Sequence, residues 1–249
     1  MKKIAFITGA TSGIGYSTAK ILAKKYSLIL CGRREKRLKS IKKELSEYTN
    51  IQTLSFDVRN NKELINSFNS LSTEWKNIFV LINNAGNAHG MSLIHDGDLN
   101  DWDAMIDINV KGLLYVSKLI IPIMIKMNKG RIINIGSIAG KEVYPKGNIY
   151  CASKYAVDAI TQGMRLDLNG YNINVSSVNP GLVETEFSLI RFKGDKSKAK
   201  SVYEGINPLT PDDVAEVIEF ILDRPENVNL SDITMFPKCQ ASSTIVKRD

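Results

Sequence analysis

The sequence predicts an α/β fold: one doubly wound domain with a seven-stranded parallel sheet and helices on both faces. Two observations carry this. Short apolar runs alternate with longer amphipathic stretches along the whole chain, the pattern of repeated strand–helix units. The apolar runs lack polar alternation, as expected of strands covered on both faces. At 249 residues the chain has the length of one such domain. It contains no repeat, low-complexity segment or linker that would divide it, so 1–249 reads as a single unit.

The first strand is 4–8. The two lysines before it mimic a signal peptide, but the apolar run breaks at Thr8-Gly9 with no cleavage site, so it reads as buried strand. Residues 14–25 form an amphipathic helix and 28–31 the second strand. A charged helix, 35–47, leads to the third strand, 51–56. Helix 62–73 leads to the fourth, 78–82. One or two helices occupy 102–127. The apolar run 119–125 inside them is interrupted by Pro122 and too short to span a bilayer, so no membrane partner is expected. The fifth strand is 131–135, followed by helix 150–168 and the sixth strand, 173–178. Helix 211–222 opens with Pro211, whose missing N–H is harmless in a first turn. The last strand is 233–236. The polar, basic stretch 191–200 reads as a mobile insertion, within a segment 186–205 expected to cover a substrate.

Composition narrows the function. Hydrophobic residues make up 43% and charged residues 24%, ordinary values for a soluble globular protein. The net charge is +7, which would suit an anionic partner. Its lysines are scattered without interleaved aromatic residues, so nucleic acid is not expected. The three cysteines, Cys31, Cys151 and Cys239, are odd in number and far apart. They suggest no disulfide framework and no metal site, and they fit a reducing cytoplasm.

The turn after the first strand is Thr8-Gly9-Ala10-Thr11-Ser12-Gly13-Ile14-Gly15. Glycines there let backbone N–H groups approach a pyrophosphate at a helix N-terminus, with Thr11, Ser12 and Ile14 in the same turn. The spacing differs from the common dinucleotide fingerprint, but its place after a first strand points to a Rossmann-type cofactor cradle. The second strand should end near the adenosine ribose. A carboxylate there would repel a 2′-phosphate, whereas this chain has Gly32-Arg33-Arg34 and no acid before Glu35. Arg33 and Arg34 therefore favour NADP over NAD. Asp57 and Val58 follow the third strand, with Asp57 placed to accept from an adenine amino group. Asn83-Asn84-Ala85-Gly86 follow the fourth, also at the carboxyl edge where ligands bind in such sheets.

Tyr150 and Lys154 are spaced i, i+4 and share a helix face. A free phenol titrates near pH 10, and a neighbouring ammonium favours phenolate. Ser137, at the end of the fifth strand, is placed to hydrogen-bond a substrate oxygen. The three form a proton-transfer unit for an alcohol/carbonyl pair, with hydride moving to or from a nicotinamide.

These motifs, with Asn109 and Pro180-Gly181, stand in the order found in short-chain dehydrogenases/reductases, which the chain resembles over nearly its whole length. The resemblance implies that Ser137 steadies the substrate oxygen and Tyr150 is the acid/base. It implies that Lys154 bonds the nicotinamide ribose and lowers the tyrosine pKa, and that Asn109 holds a relay water. Pro180, Gly181, Val183 and Thr185 would line the nicotinamide carboxamide. Stretches such as Glu74-Trp75-Lys76-Asn77-Ile78, Glu184-Thr185-Glu186-Phe187-Ser188 and Arg191-Phe192-Lys193-Gly194-Asp195 also resemble the NADP-dependent 3-hydroxy acid dehydrogenases. That implies small hydroxy acid substrates and a homotetramer paired through the helices at 102–127 and 150–169.

A small hydroxy acid needs a cation for its carboxylate. Arg191 is the first candidate, Lys141 and Lys146 are alternatives, and His89 is a further pocket residue. The alternative within the family is a 3-oxoacyl-carrier-protein reductase. Those usually end in a glycine-rich Asp-Gly-Gly segment, whereas this chain ends Met235-Phe236-Pro237-Lys238-Cys239-Gln240 and beyond. From another class, a non-catalytic NADP sensor would keep the cradle but has no need of Ser137, Tyr150 and Lys154 together.

Overall fold

Successive residues of a strand point to opposite faces, and here both sets are buried. On one face Ala5, Ile7, Leu28, Leu30, Val80 and Ile82 form one core; on the other Ile4, Phe6, Ile29, Cys31, Ile78 and Leu81 form a second. The computed structural model describes residues 2–249. Its strands are β1 (Ile4–Ile7), β2 (Ser27–Gly32), β3 (Ile51–Ser55), β4 (Ile78–Asn83), β5 (Gly130–Ile135), β6 (Ile173–Pro180) and β7 (Asp232–Met235). They make one sheet in the order β3-β2-β1-β4-β5-β6-β7, parallel throughout. The winding reverses between β1 and β4, which opens a crevice at the carboxyl edge.

The helices divide between the faces as the doubly wound prediction requires. Helices α1 (Gly13–Leu22) and α2 (Glu35–Leu45) cover the first core together with the late helix Pro211–Leu222, through Leu22, Leu38 and Ile218. The second core is covered by α3 (Asn61–Asn69), by the stretch running through α4 (Leu99–Ile106) and α5 (Leu113–Met127), and by α6 (Asn148–Asp167). Between α4 and α5 the helix widens into a π turn, Asp107–Gly112, so 102–127 is one continuous rod. It runs for 29 helical residues, Leu99–Met127, and an 18-residue window within it reaches a mean hydropathy of 1.6, long and apolar enough by those measures to cross a membrane. Val116, Ile120 and Met124 are fully buried in the core beneath the sheet.

Two expectations change. The stretch 191–200 carries the end of α7 (Phe187–Arg191) and most of α8 (Lys196–Ser201), elements that its polar, basic composition does not announce. Asp195 caps α8 by accepting from the Lys198 N–H at 3.0 Å, and a cap at that position favours a short helix that composition alone hides. Burial on both faces holds for the central strands but fails at the edges. β7 alternates exposed and half-buried residues, because it is the edge strand and pairs only with β6. The last helix, α9, is Pro211–Leu222 as read from the sequence, closed at its start by a reciprocal Thr210–Asp213 capping box.

Candidate active site

A cleft of about 680 Å³ runs along the carboxyl edge of the sheet, from the turn after β1 to the segment after β6. The cradle forms its floor. Gly9 sits at φ +66°, and a Cβ there would meet Asn84 Nδ2 at 2.8 Å. A Cβ on Gly15 would lie 2.4 Å from the Gly9 carbonyl oxygen. The turn thus folds too tightly for side chains, leaving its backbone open to a ligand. Ser12 precedes α1 without capping it, and α1 has no acid in its first turn, so its leading N–H groups are left for an anion. Asn84 pins the turn from β4: its Nδ2 donates to the Thr8 and Gly9 carbonyls at 2.9 and 3.2 Å. Thr8 Oγ1 in turn accepts from the Asn84 and Ala85 N–H groups.

At the adenosine end the two arginines differ. Arg33 is 55% exposed at its side chain and meets Asp57 only at 3.6 Å, so its guanidinium is available to a phosphate. Arg34 is engaged within the chain. It donates to Thr11 Oγ1 from Nε and Nη2 at 3.0 and 2.7 Å, to Ser12 Oγ at 2.6 Å, and to Glu186 at 2.6 Å. Asp57 is bound mainly by Arg59, which donates to both its oxygens. Val58, Ala85, Gly86, Pro180, Gly181, Val183 and Thr185 all line the same cleft. The donor set fits a dinucleotide with a phosphate on its adenosine ribose.

Deeper in, the first turn of α6 places Tyr150 facing Ser137 at the end of β5. Burial pushes the Tyr150 phenol well above its ordinary value; hydrogen bonding to Ser137 and the nearby Arg191 charge act against that rise. Lys154 is buried one helical turn further on. Its Nζ donates to the Ile135 carbonyl at 2.9 Å, and burial lowers its own pKa to about 8. Arg191 is a cation whose charge lowers the phenol's pKa.

Arg191, at the end of α7, closes the cleft. Its guanidinium lies 5.3 Å from the Tyr150 ring centre, 5.5 Å from Tyr144 and 5.9 Å from Phe187. It donates to Tyr144 Oη at 2.7 Å, and among the described residues it pairs with no carboxylate. The alternatives lie elsewhere. Lys141 is locked between Asp158 and Asp232 at 2.7 and 2.6 Å and does not line the cleft. Lys146 and His89 line a much smaller cavity beside it. Burial lowers the His89 pKa, which favours a neutral imidazole.

Asn109 sits in the π turn, a feature that often marks functional positions. Its amide is engaged by the chain: Oδ1 accepts from the Asn87 N–H at 2.9 Å, and Nδ2 donates to the Asn87 carbonyl and Ser153 Oγ. The side chain therefore braces the strand-end loop against α6, and it does not line the cleft.

Several cleft residues escaped the sequence reading. Tyr144 and Phe187 wall the catalytic end, Phe187 meeting Tyr150 edge-on with ring centres 5.5 Å apart. Tyr203 donates to the Val183 carbonyl at 2.9 Å and pairs with Ser188 Oγ at 2.8 Å. The tail after β7 also contributes, through Gln240, Ser243, Thr244 and Arg248. A Tyr-Pro dipeptide upstream of Tyr150 was the one local signal for Tyr144; the tail gave none.

The family model for short chain dehydrogenases matches residues 3–194. The chain is 45% identical to an NADP-dependent 3-hydroxy acid dehydrogenase of Schizosaccharomyces pombe, over 99% of this chain and 96% of that one. It is 41% identical to the NADP-dependent 3-hydroxy acid dehydrogenase YdfG of Salmonella typhi, over 96% of each. Among solved structures, a closed form of serine dehydrogenase complexed with NADP+ superposes with a TM-score of 0.93, at 40% identity, over 99% of this chain and 100% of that one.

Proposed function

The chain belongs to the short-chain dehydrogenase family, and on that premise we propose that it is an NADP-dependent oxidoreductase interconverting the 3-hydroxyl and carbonyl of small 3-hydroxy acids. Serine, allo-threonine and 3-hydroxypropionate are substrates of this type. The relatives named for NADP and for 3-hydroxy acids support both halves of the reading. The observation that carries it is Arg191, an arginine without a carboxylate partner about 5 Å from the acid/base phenol. In a 3-hydroxy acid the carboxyl carbon and C3 are two bonds, about 2.5 Å, apart. One guanidinium beside one phenol matches that spacing.

When bound, NADP supplies the hydride acceptor or donor. The chain supplies the rest. The cradle would hold the pyrophosphate and Arg33 the 2′-phosphate. Ser137 donates to the substrate oxygen and fixes it beside Tyr150. In oxidation the phenolate takes the hydroxyl proton, and in reduction the phenol returns it to the carbonyl oxygen. The buried phenol favours its neutral form, and the Ser137 bond and the Arg191 charge draw it toward phenolate. Lys154 holds the strand-end backbone at Ile135 and would bond the nicotinamide ribose, and Asn109 fixes the neighbouring loop. Phe187 and Tyr144 exclude water, which strengthens each charge interaction inside.

We place residues 1–249 in one catalytic domain, with 186–205 as the substrate-covering segment. A cytoplasmic homotetramer fits the family and the unpaired cysteines. Reduction of NADP+ tested with L-serine, allo-threonine, 3-hydroxypropionate and matched alcohols without a carboxylate checks the function. Turnover confined to the acids is expected; equal turnover of the alcohols would overturn it.

A further inference from the structure

Besides Asp57, which the sequence already places at the adenosine end, the fold brings a second acid there. Glu186 immediately precedes α7, more than 150 positions from the second strand. One of its oxygens accepts from Arg34 Nη1 at 2.6 Å and the other from Arg37 Nη1 at 2.7 Å. Burial raises its pKa, but the two guanidinium bonds outweigh that, and the carboxyl is held below its ordinary range. Through Arg34 the same ion cluster reaches Thr11 and Ser12 of the cradle. On its other side Glu186 leads directly into Phe187, Ser188 and Arg191. Phe187 packs on Tyr150, Ser188 on Tyr203, and Arg191 lies over the phenol. One carboxylate thus joins the phosphate turn to the helix that carries the substrate cation.

We propose that Glu186 is a positioning and cofactor-tuning residue: it clamps α7 to the cradle through Arg34 and Arg37, and its charge weakens the pull of those arginines on a 2′-phosphate. Each half follows from charge and reach. A carboxylate bridging two guanidiniums fixes the start of a five-residue helix that has little core of its own. The same negative charge offsets the positive potential that the 2′-phosphate meets beside Arg33. The inference rests on reading Arg33 as the NADP residue and Arg191 as the substrate residue.

The test uses Glu186→Gln and Glu186→Asp in the full chain. NADP+ and NAD+ affinities are measured by calorimetric titration without substrate, and KM and kcat with a 3-hydroxy acid. Glu186→Gln keeps shape and loses charge. It should bind NADP+ about three- to fivefold more tightly with NAD+ unchanged, while KM for the acid rises about fivefold. Glu186→Asp keeps the charge but is too short for both arginines. It should keep wild-type NADP+ affinity while KM rises. Parallel weakening of cofactor and substrate, with a lower melting temperature, would reduce Glu186 to a stabilising contact and overturn the proposal. So would an unchanged NADP+ affinity in Glu186→Gln, or an unchanged KM in either variant. If the wild type itself fails to prefer NADP+ or to turn over hydroxy acids, the underlying reading fails instead, and does so before any variant is measured.

Discussion

Replacing Arg191 with Met keeps much of the aliphatic stem and removes the charge. The guanidinium is half-buried between three aromatic rings and meets no carboxylate among the described residues, and in the proposed function it receives the substrate carboxylate. Losing a charge-assisted bond of this kind costs about 2–4 kcal/mol. In kcat/KM for a 3-hydroxy acid that is about 30- to 700-fold. An uncharged alcohol loses only what Arg191 does for Tyr150. At 5.3 Å from the ring that is a cation–π contact of about 0.5–1 kcal/mol, a two- to fivefold effect. Because the Arg191 charge lowers the phenol's pKa, the variant's acid limb should also move to higher pH with either substrate. Steady-state kinetics on a matched acid and alcohol across pH measure both effects. Equal losses on the two substrates would refute the assignment, since they would mean that Arg191 holds the helix and not the carboxylate.

Three further outcomes follow from the same geometry. Arg33→Ala should weaken NADP+ binding about 10- to 100-fold and leave NAD+ unaffected, as read by calorimetry; equal weakening of both would place the 2′-phosphate elsewhere. Lys154 titrates near 8 in the folded chain against an ordinary 10.5. Between those values the unfolded chain holds the extra proton, so stability rises with pH and the penalty of the buried ammonium, complete below pH 8, is gone above 10.5. Lys154→Met lacks this slope, so denaturant melts should show its stability relative to wild type falling by about 3 kcal/mol across that window; a constant difference would mean the lysine is solvated. Gly15→Ala puts a Cβ 2.4 Å from a backbone carbonyl and should destabilise the fold by about 1–3 kcal/mol and abolish cofactor binding; a variant that binds NADP+ normally would show that the turn tolerates a side chain there.

What could be read from the chain, and what could not, divides by range. Local patterns suffice for the sheet: apolar runs at each central strand, and Pro211 at the start of α9. They also suffice for the cradle and for Tyr150 with Lys154, where spacing on one turn or one helix face places the groups together. Contacts between distant segments are invisible to such patterns. Glu186 meets Arg34 across 152 positions, and the tail at 240–248 reaches the cleft only because β7 ends beside it. In the sequence Arg191 ranks ahead of Lys141 as a candidate cation only by its place in the segment expected to cover the site. Only the fold supplies Asp158 and Asp232 to one and aromatic walls to the other. Lys154 is the sharpest case: the i, i+4 spacing is right, but the Ile135 carbonyl, reached through the fold, is where its proton points.

The central claim is that this cleft moves hydride to NADP and a proton through Tyr150. It is tested most directly by following NADP+ reduction with a 3-hydroxy acid in wild type and Tyr150→Phe, with NADP+ affinity measured in both. The account predicts turnover in the wild type, turnover lower by at least about a hundredfold in the variant, and matching cofactor affinities. A Tyr150→Phe protein that binds NADP+ normally and still turns over at the wild-type rate would contradict it.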